Sequence, residues 1–186
     1  MKKIIVCITG ASGIIYSKKL LEELYKNKNI ETTLIISKSA KKIIEYELEM
    51  SVNEFINLAN EYYENDNFFS SVASGSNKFD SVVVIPCSMK TLSSVANGYG
   101  NNLINRVCDI ALKEQRKLII MPREMPFSTI HIENMLKLSK CGVLIMPPIP
   151  AYYHNPKSIE DIVNFVVGRV LDSLNIENKL FKRWSN

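Results

Sequence analysis

Short runs of apolar residues, each followed by a stretch with helical spacing, constrain this chain more than any other feature. Residues 3–8, 33–36, 81–85, 118–121 and 143–146 are apolar along most of their length rather than alternating with polar ones. A strand buried on one face alternates; a strand covered on both faces does not. Between these runs the apolar positions fall at a period near 3.6. Leu20, Leu21 and Leu24 mark the core face of a first helix, and further helices are expected around 40–47 and 52–59. Residues 103–113 place Leu103, Val107, Ile110 and Ala111 on one side, and a last helix opens at Ser158 with Ile162, Phe165, Val166, Val170 and Leu174. Residues 61–67, polar and aromatic, are expected to be irregular, and 70–76 to form a flexible loop.

The pattern predicts an α/β protein: a three-layer Rossmann-like (flavodoxin-like) fold, with a mostly parallel sheet and helices on both faces. The chain has 186 residues, which suits a single domain over 1–186. Residues 158–186, the last helix and tail, are expected to take part in oligomer contacts. No apolar run approaches the roughly 20 residues a membrane span needs. Met1-Lys2-Lys3 and the run after it are too short for a signal-peptide core and lead into a glycine turn. A cytoplasmic protein without membrane partners is therefore expected. The net charge of +4 suits small anionic ligands, but the basic residues are too scattered for nucleic acid. Cys7, Cys87, Cys108 and Cys141 show no C-x-x-C spacing, and His131 and His154 are the two histidines. Reduced packing thiols, and no metal site, are expected.

In open parallel sheets ligands bind beyond the carboxyl ends of the strands, where the strand order reverses. The segments that follow the apolar runs carry the chemistry. After the first comes Thr9-Gly10-Ala11-Ser12-Gly13, a glycine turn opening a helix and hence a ready cradle for a phosphate. A tight turn without a ligand, with Ser12 as a helix N-cap, is the plainer alternative. After the others come Ser37-Lys38-Ser39, Pro86-Cys87-Ser88-Met89-Lys90-Thr91, Pro122-Arg123-Glu124 and Pro147-Pro148 running on to Tyr153 and His154. The dinucleotide fingerprint needs a third glycine and an acidic residue after the second strand. Here Ile14, Ile15 and Tyr16 follow Gly13, and the second strand ends in Ser37. A mononucleotide such as FMN fits better than NAD, and an NAD-linked reductase is disfavoured.

With these segments goes a set of pieces in fixed order: Ala111-Leu112-Lys113-Glu114, Asn101 to Ile104 with Arg106, His131 to Leu138, and Tyr152-Tyr153-His154. Together they make the chain resemble, over almost its whole length, the UbiX-type flavin prenyltransferases, formerly described as aromatic-acid decarboxylases. That resemblance implies a metal-independent transfer of a dimethylallyl group from dimethylallyl phosphate to reduced FMN. The product, prenylated FMN, carries a fourth ring through N5 and C6 and serves a separate UbiD-type decarboxylase. It implies a homo-oligomer, a dodecamer being typical, with active sites at subunit boundaries.

Residue by residue, it implies FMN contacts at Gly10, Ala11, Ser12, Ser37, Ser88, Met89, Lys90, Thr91 and Arg123. Donor contacts fall on Arg106, Lys113, Tyr153 and Arg169, and catalytic roles on Ser12, Glu47, Lys113 and Glu124. Trp184 is expected over a neighbouring active site. Read without the resemblance, Glu47, Arg106 and Lys113 are ordinary solvated helix positions. Arg169 borders the apolar stripe of the last helix, where an arginine either snorkels or meets an anion. Two rivals remain: a flavin-dependent decarboxylase of related fold, which relies on a mid-chain histidine absent here, and a module that binds FMN without chemistry.

Overall fold

The structure, a computed structural model, describes residues 1–184. Six strands form one sheet: β1 (Lys2–Ile8), β2 (Ile30–Ile36), β3 (Glu61–Glu64), β4 (Ser81–Cys87), β5 (Lys117–Pro122) and β6 (Leu144–Ile145). Their order is β3-β2-β1-β4-β5-β6, and every pairing is parallel. Without the short edge strand β3, the rest run in the flavodoxin-like order; β3 extends it to the full doubly wound one. The order reverses between β1 and β4, so the crevice lies beyond Ile8 and Cys87.

The apolar runs are buried on both faces, as their lack of alternation requires. Along β1, Ile4, Val6 and Ile8 face α1 (Ile14–Tyr25), α2 (Lys38–Leu48), α3 (Val52–Ile56) and α7 (Ile159–Ser173). Ile5 and Cys7 face the opposite layer, α4 (Met89–Ala96), α5 (Leu103–Lys113) and α6 (Thr129–Lys140). Leu20, Leu21 and Leu24 are fully buried on α1. Burial pushes the Cys7 and Cys87 thiols well up and Cys108 up to about 12, so these are packing groups rather than nucleophiles.

One expectation fails at the edge. Residues 61–64 form a strand although Glu61-Tyr62-Tyr63-Glu64 has no apolar pattern. Polar links hold it there: Asn60 Oδ1 accepts from Thr32 N–H at 2.8 Å, Thr33 donates to Glu61 at 3.1 Å, and Lys41 pairs with Glu64 at 2.6 Å. An edge strand needs no burial on its outer side. The expected loop at 70–76 contains a 3-10 turn, Ser71–Ala73, whose Val72 joins the second core layer.

The ends of β1 and β4 are stitched by Thr9, which is buried. Its hydroxyl donates to Pro86 O at 2.8 Å and accepts the Ser88 N–H at 2.7 Å. Ser37 N–H from the end of β2 bonds Ile8 O at 2.9 Å. Three strand termini are thereby fixed against one another. Thr9→Val keeps the shape and removes both hydroxyl bonds, so it should cost about 1–3 kcal/mol in a urea melt, with Thr9→Ser recovering much of the loss.

Candidate functional site

The turn after β1 is shaped by two neighbours. At Gly10 a Cβ would lie 2.4 Å from Ser39 Oγ in the first turn of α2, so a side chain there needs Ser39 to move. Gly13 has φ +102°, a left-handed conformation suited to glycine, and is the N-cap of α1 with no side-chain cap of its own. Ser12 is exposed and caps nothing. The cap is Glu47, from the last turn of α2. Its carboxylate accepts from Gly13 N–H at 3.0 Å and Ile14 N–H at 2.9 Å, both to Oε2. The positive end of α1 therefore already holds an anion, supplied by the chain itself. Glu47, read without the resemblance as a solvated helix position, is instead the cap of α1.

Ser12, Gly13, Tyr16, Glu47, Leu48, Arg123 and Pro148 line a cavity of about 540 Å³. Arg123 leaves β5 directly, its N–H bonding Cys87 O at 3.1 Å, which ties the ends of β4 and β5. Its Nε is buried and has no hydrogen-bond partner among the described residues. An unmatched guanidinium donor in a cavity with a hydroxyl suits a carbonyl- or phosphate-bearing ligand. Partial burial raises the Tyr16 phenol above its ordinary value. Ser88 and Ser37 are N-caps of α4 and α2, accepting from Thr91 and Ala40. Both sit at the same edge as Ser12, as do Met89 and the exposed Lys90.

A second cavity, about 270 Å³, adjoins the first across the Pro147–Pro148 link. It is lined by Met121, Met146, Ala151, Phe165 and Val166, with Arg169 as its one charged side chain. Arg169 is more exposed than expected, 53 % of its side chain, and its anion is internal: Nη1 bonds Asp172 at 3.0 Å. Tyr153 packs edge-on against His154, Phe165 and Trp184, the last at 5.3 Å. Trp184 thus lies over a ring of its own chain; residues 185 and 186 of the expected contact tail lie outside the described residues.

The chain does not bring Arg106 and Lys113 to either cavity. Both are on α5, as expected, but Arg106 bonds Ala73 O at 3.1 Å and Asp109 at 2.9 Å, while Lys113 pairs with Glu114 beside Gly75. Lys113 ends a helix that leads into the start of β5, at the edge of the sheet opposite Arg123. Glu124 is exposed, its Oε1 accepting from Met125 N–H. Among the described residues no group of His, Cys, Asp and Glu is placed to hold a metal ion, and no helix is long and apolar enough to cross a membrane. Sequence reasoning missed Thr9, the capping by Glu47, and Asp172. The last carried a signal: an acidic residue three positions after Arg169 on a helix.

Comparison with known proteins finds relatives over the whole chain. The flavoprotein family model matches residues 1–171. A flavin prenyltransferase UbiX of Methanocaldococcus jannaschii is 70% identical over 182 residues, 98% of each chain. A dodecameric FMN-dependent UbiX-like decarboxylase from Escherichia coli O157:H7 superposes with a TM-score of 0.97 at 45% identity, covering 99% of this chain and 100% of that one. AnUbiX (PadA1), solved with FMN and dimethylallyl pyrophosphate, gives 0.97 at 39% identity, covering 100% and 98%.

Glu47→Ala strips two N–H groups of their acceptor and should lower stability by about 0.5–2 kcal/mol, read by thermal melting. Asp172 yields a pH dependence. Arg183, then Asn178 and Arg169, hold its carboxyl below the ordinary aspartate value. A lowered carboxyl stabilises fully above its unfolded value, near 4, and loses that contribution as pH falls through the folded value. The stability gap between the wild type and Asp172→Asn should be flat from about pH 7 to 5 and close below about 4.

Proposed function

The chain belongs to the flavoprotein family, among its flavin prenyltransferases, and from that premise we propose how its own residues divide the work. It is an enzyme that transfers a dimethylallyl group to reduced FMN. One observation carries the division: an apolar hollow ending in a guanidinium adjoins a hollow of mixed lining that holds the Ser12 hydroxyl, the Glu47 carboxylate and an arginine donor unpartnered among the described residues. A five-carbon chain with a phosphate head suits the first, and a flavin the second.

When bound, reduced FMN supplies the nucleophile and takes the five-carbon group, becoming prenylated FMN. Ser12 and Arg123 bind and orient it. Its phosphate goes to the N-terminus of α4, Ser88 to Thr91, because that of α1 is held by Glu47. Gly10 and Ala11 let the turn pass close, with Ser37 at the neighbouring strand end. Arg169 and Tyr153 hold the donor phosphate, and the guanidinium favours the charge that grows there as the carbon–oxygen bond breaks. Met121, Met146 and Phe165 keep water from the allyl chain. Exposed Glu124 is the proton carrier.

Arg106 and Lys113 serve a site only if a neighbouring subunit supplies them, which supports assembly into the dodecamer described for the E. coli relative. Exposed Ile130, Ile132 and Leu136 on α6, with Phe69 and Met125, support self-association as well. The segment 158–184 contributes to those contacts. A UbiD-type decarboxylase is the proposed recipient of the product, and the cytoplasm the proposed location.

Anaerobic incubation with reduced FMN and dimethylallyl phosphate should give the flavin mass plus one C5 unit. Arg169→Ala should abolish that product with FMN still bound. An unmodified flavin in the wild type contradicts the transfer, and loss of FMN from the variant contradicts the place given to Arg169.

A further inference from the structure

Asp172 lies outside both cavities, yet four N–H donors converge on it. Arg169 Nη1 bonds Oδ2 at 3.0 Å, and Arg183 takes both oxygens, Nη1 to Oδ2 at 2.9 Å and Nη2 to Oδ1 at 2.7 Å. Asn178 Nδ2 adds a fourth bond to Oδ1 at 3.0 Å. The carboxylate side chain is only 19 % exposed. An exposed ion pair of two flexible side chains contributes little. This one differs, because a two-pronged guanidinium and an amide fix the same group.

The residues that reach Asp172 belong to a strap. Beyond α7, residues 176–184 fold back along that helix. Phe181 lies against Gly168, where a Cβ would meet its ring at 2.6 Å, and packs edge-on to Phe165 at 5.0 Å. Asn178 also donates to Gly168 O at 3.2 Å. The Arg183 guanidinium sits 5.3 Å from the centre of the Phe181 ring. The strap then delivers Trp184 to Tyr153. Gly168, which weakens a helix on propensity alone, is required by this close approach.

One carboxylate therefore connects the arginine of the apolar cavity to the segment that packs the tyrosine beside it. We propose that Asp172 is a positioning residue for the donor: it aims Arg169 and, through Arg183, fastens the strap that sets Trp184 on Tyr153. The proposal rests on the reading that Arg169 and Tyr153 receive the donor phosphate. Two guanidinium groups share one carboxylate, so the cluster keeps a net positive charge for an arriving phosphate. A phosphate that bonds Arg169 draws on the group that also anchors the strap, and the strap responds.

Trp184 is the only tryptophan in the sequence, so its emission reports the strap directly. The test uses the assembled, flavin-loaded protein, titrated with inorganic phosphate and with dimethylallyl phosphate. In the wild type the emission should change saturably with either. Asp172→Asn should raise the donor KM by about tenfold, the loss of one charge-assisted bond, and much more than it lowers kcat. It should also shift the resting emission toward that of a solvated indole, with FMN affinity unchanged. Asp172→Glu should recover part of both effects. Arg183→Gln should loosen the indole and raise KM less, because the Arg169–Asp172 pair survives; it also serves if Asp172→Asn fails to assemble. Unchanged donor KM and emission in Asp172→Asn and Arg183→Gln overturn the proposal. Arg169→Ala separates the two levels: if it leaves donor binding intact, the donor-site reading has failed, and if it alone impairs binding, the role given to Asp172 has failed.

Discussion

The site depends on how the central strand ends. β1 runs apolar to Ile8 and then presents Thr9, whose hydroxyl joins the carbonyl of Pro86 to the N–H of Ser88. Ser37 reaches back to Ile8 from the other side, and Arg123 to Cys87. Four neighbouring strand ends are thus locked at one edge, on both sides of the point where strand order reverses. Loops here are short because backbone groups and caps satisfy one another. The cavity with Ser12 and Arg123 is the space left between them.

Helix N-termini set the electrostatics of this edge, and they are not equivalent. That of α1 is neutralised by Glu47, a residue 34 positions from Gly13. Among the described residues, those of α2 and α4 are capped by their own serines, Ser37 and Ser88, each accepting one N–H. The remaining donors of α4 are where the proposed function seats the ligand phosphate. Glu47 holds the turn that carries Ser12 by accepting from Gly13 and Ile14 N–H.

Much of the fold was legible because burial on both faces leaves an unmistakable run of apolar residues. Five strands and the helices 103–113 and 159–173 follow from it. β3 was not legible, because an edge strand held by Asn60, Thr33 and Lys41 needs no apolar pattern. That Ser12, Ser37, Ser88 and Arg123 gather at one end of the sheet was legible from their positions just after strands. The capping of Gly13 by Glu47 and the bond of Asp172 to Arg183 were not, since only folding brings those partners together, although the i+3 spacing of Asp172 from Arg169 was there to read. Arg106 and Lys113 were legible only through the resemblance, and a single chain leaves them away from the cavities. In the chain itself they bond Ala73, Asp109 and Glu114.

The most direct test of the central claim is an experimental structure of the assembled protein with FMN bound. The account predicts the flavin in the crevice between the ends of β1 and β4, Arg123 Nε within hydrogen-bond reach of it, the phosphate on α4, and the Glu47 carboxylate still on Gly13 and Ile14. A phosphate seated on the N-terminus of α1, with Glu47 displaced, would contradict it.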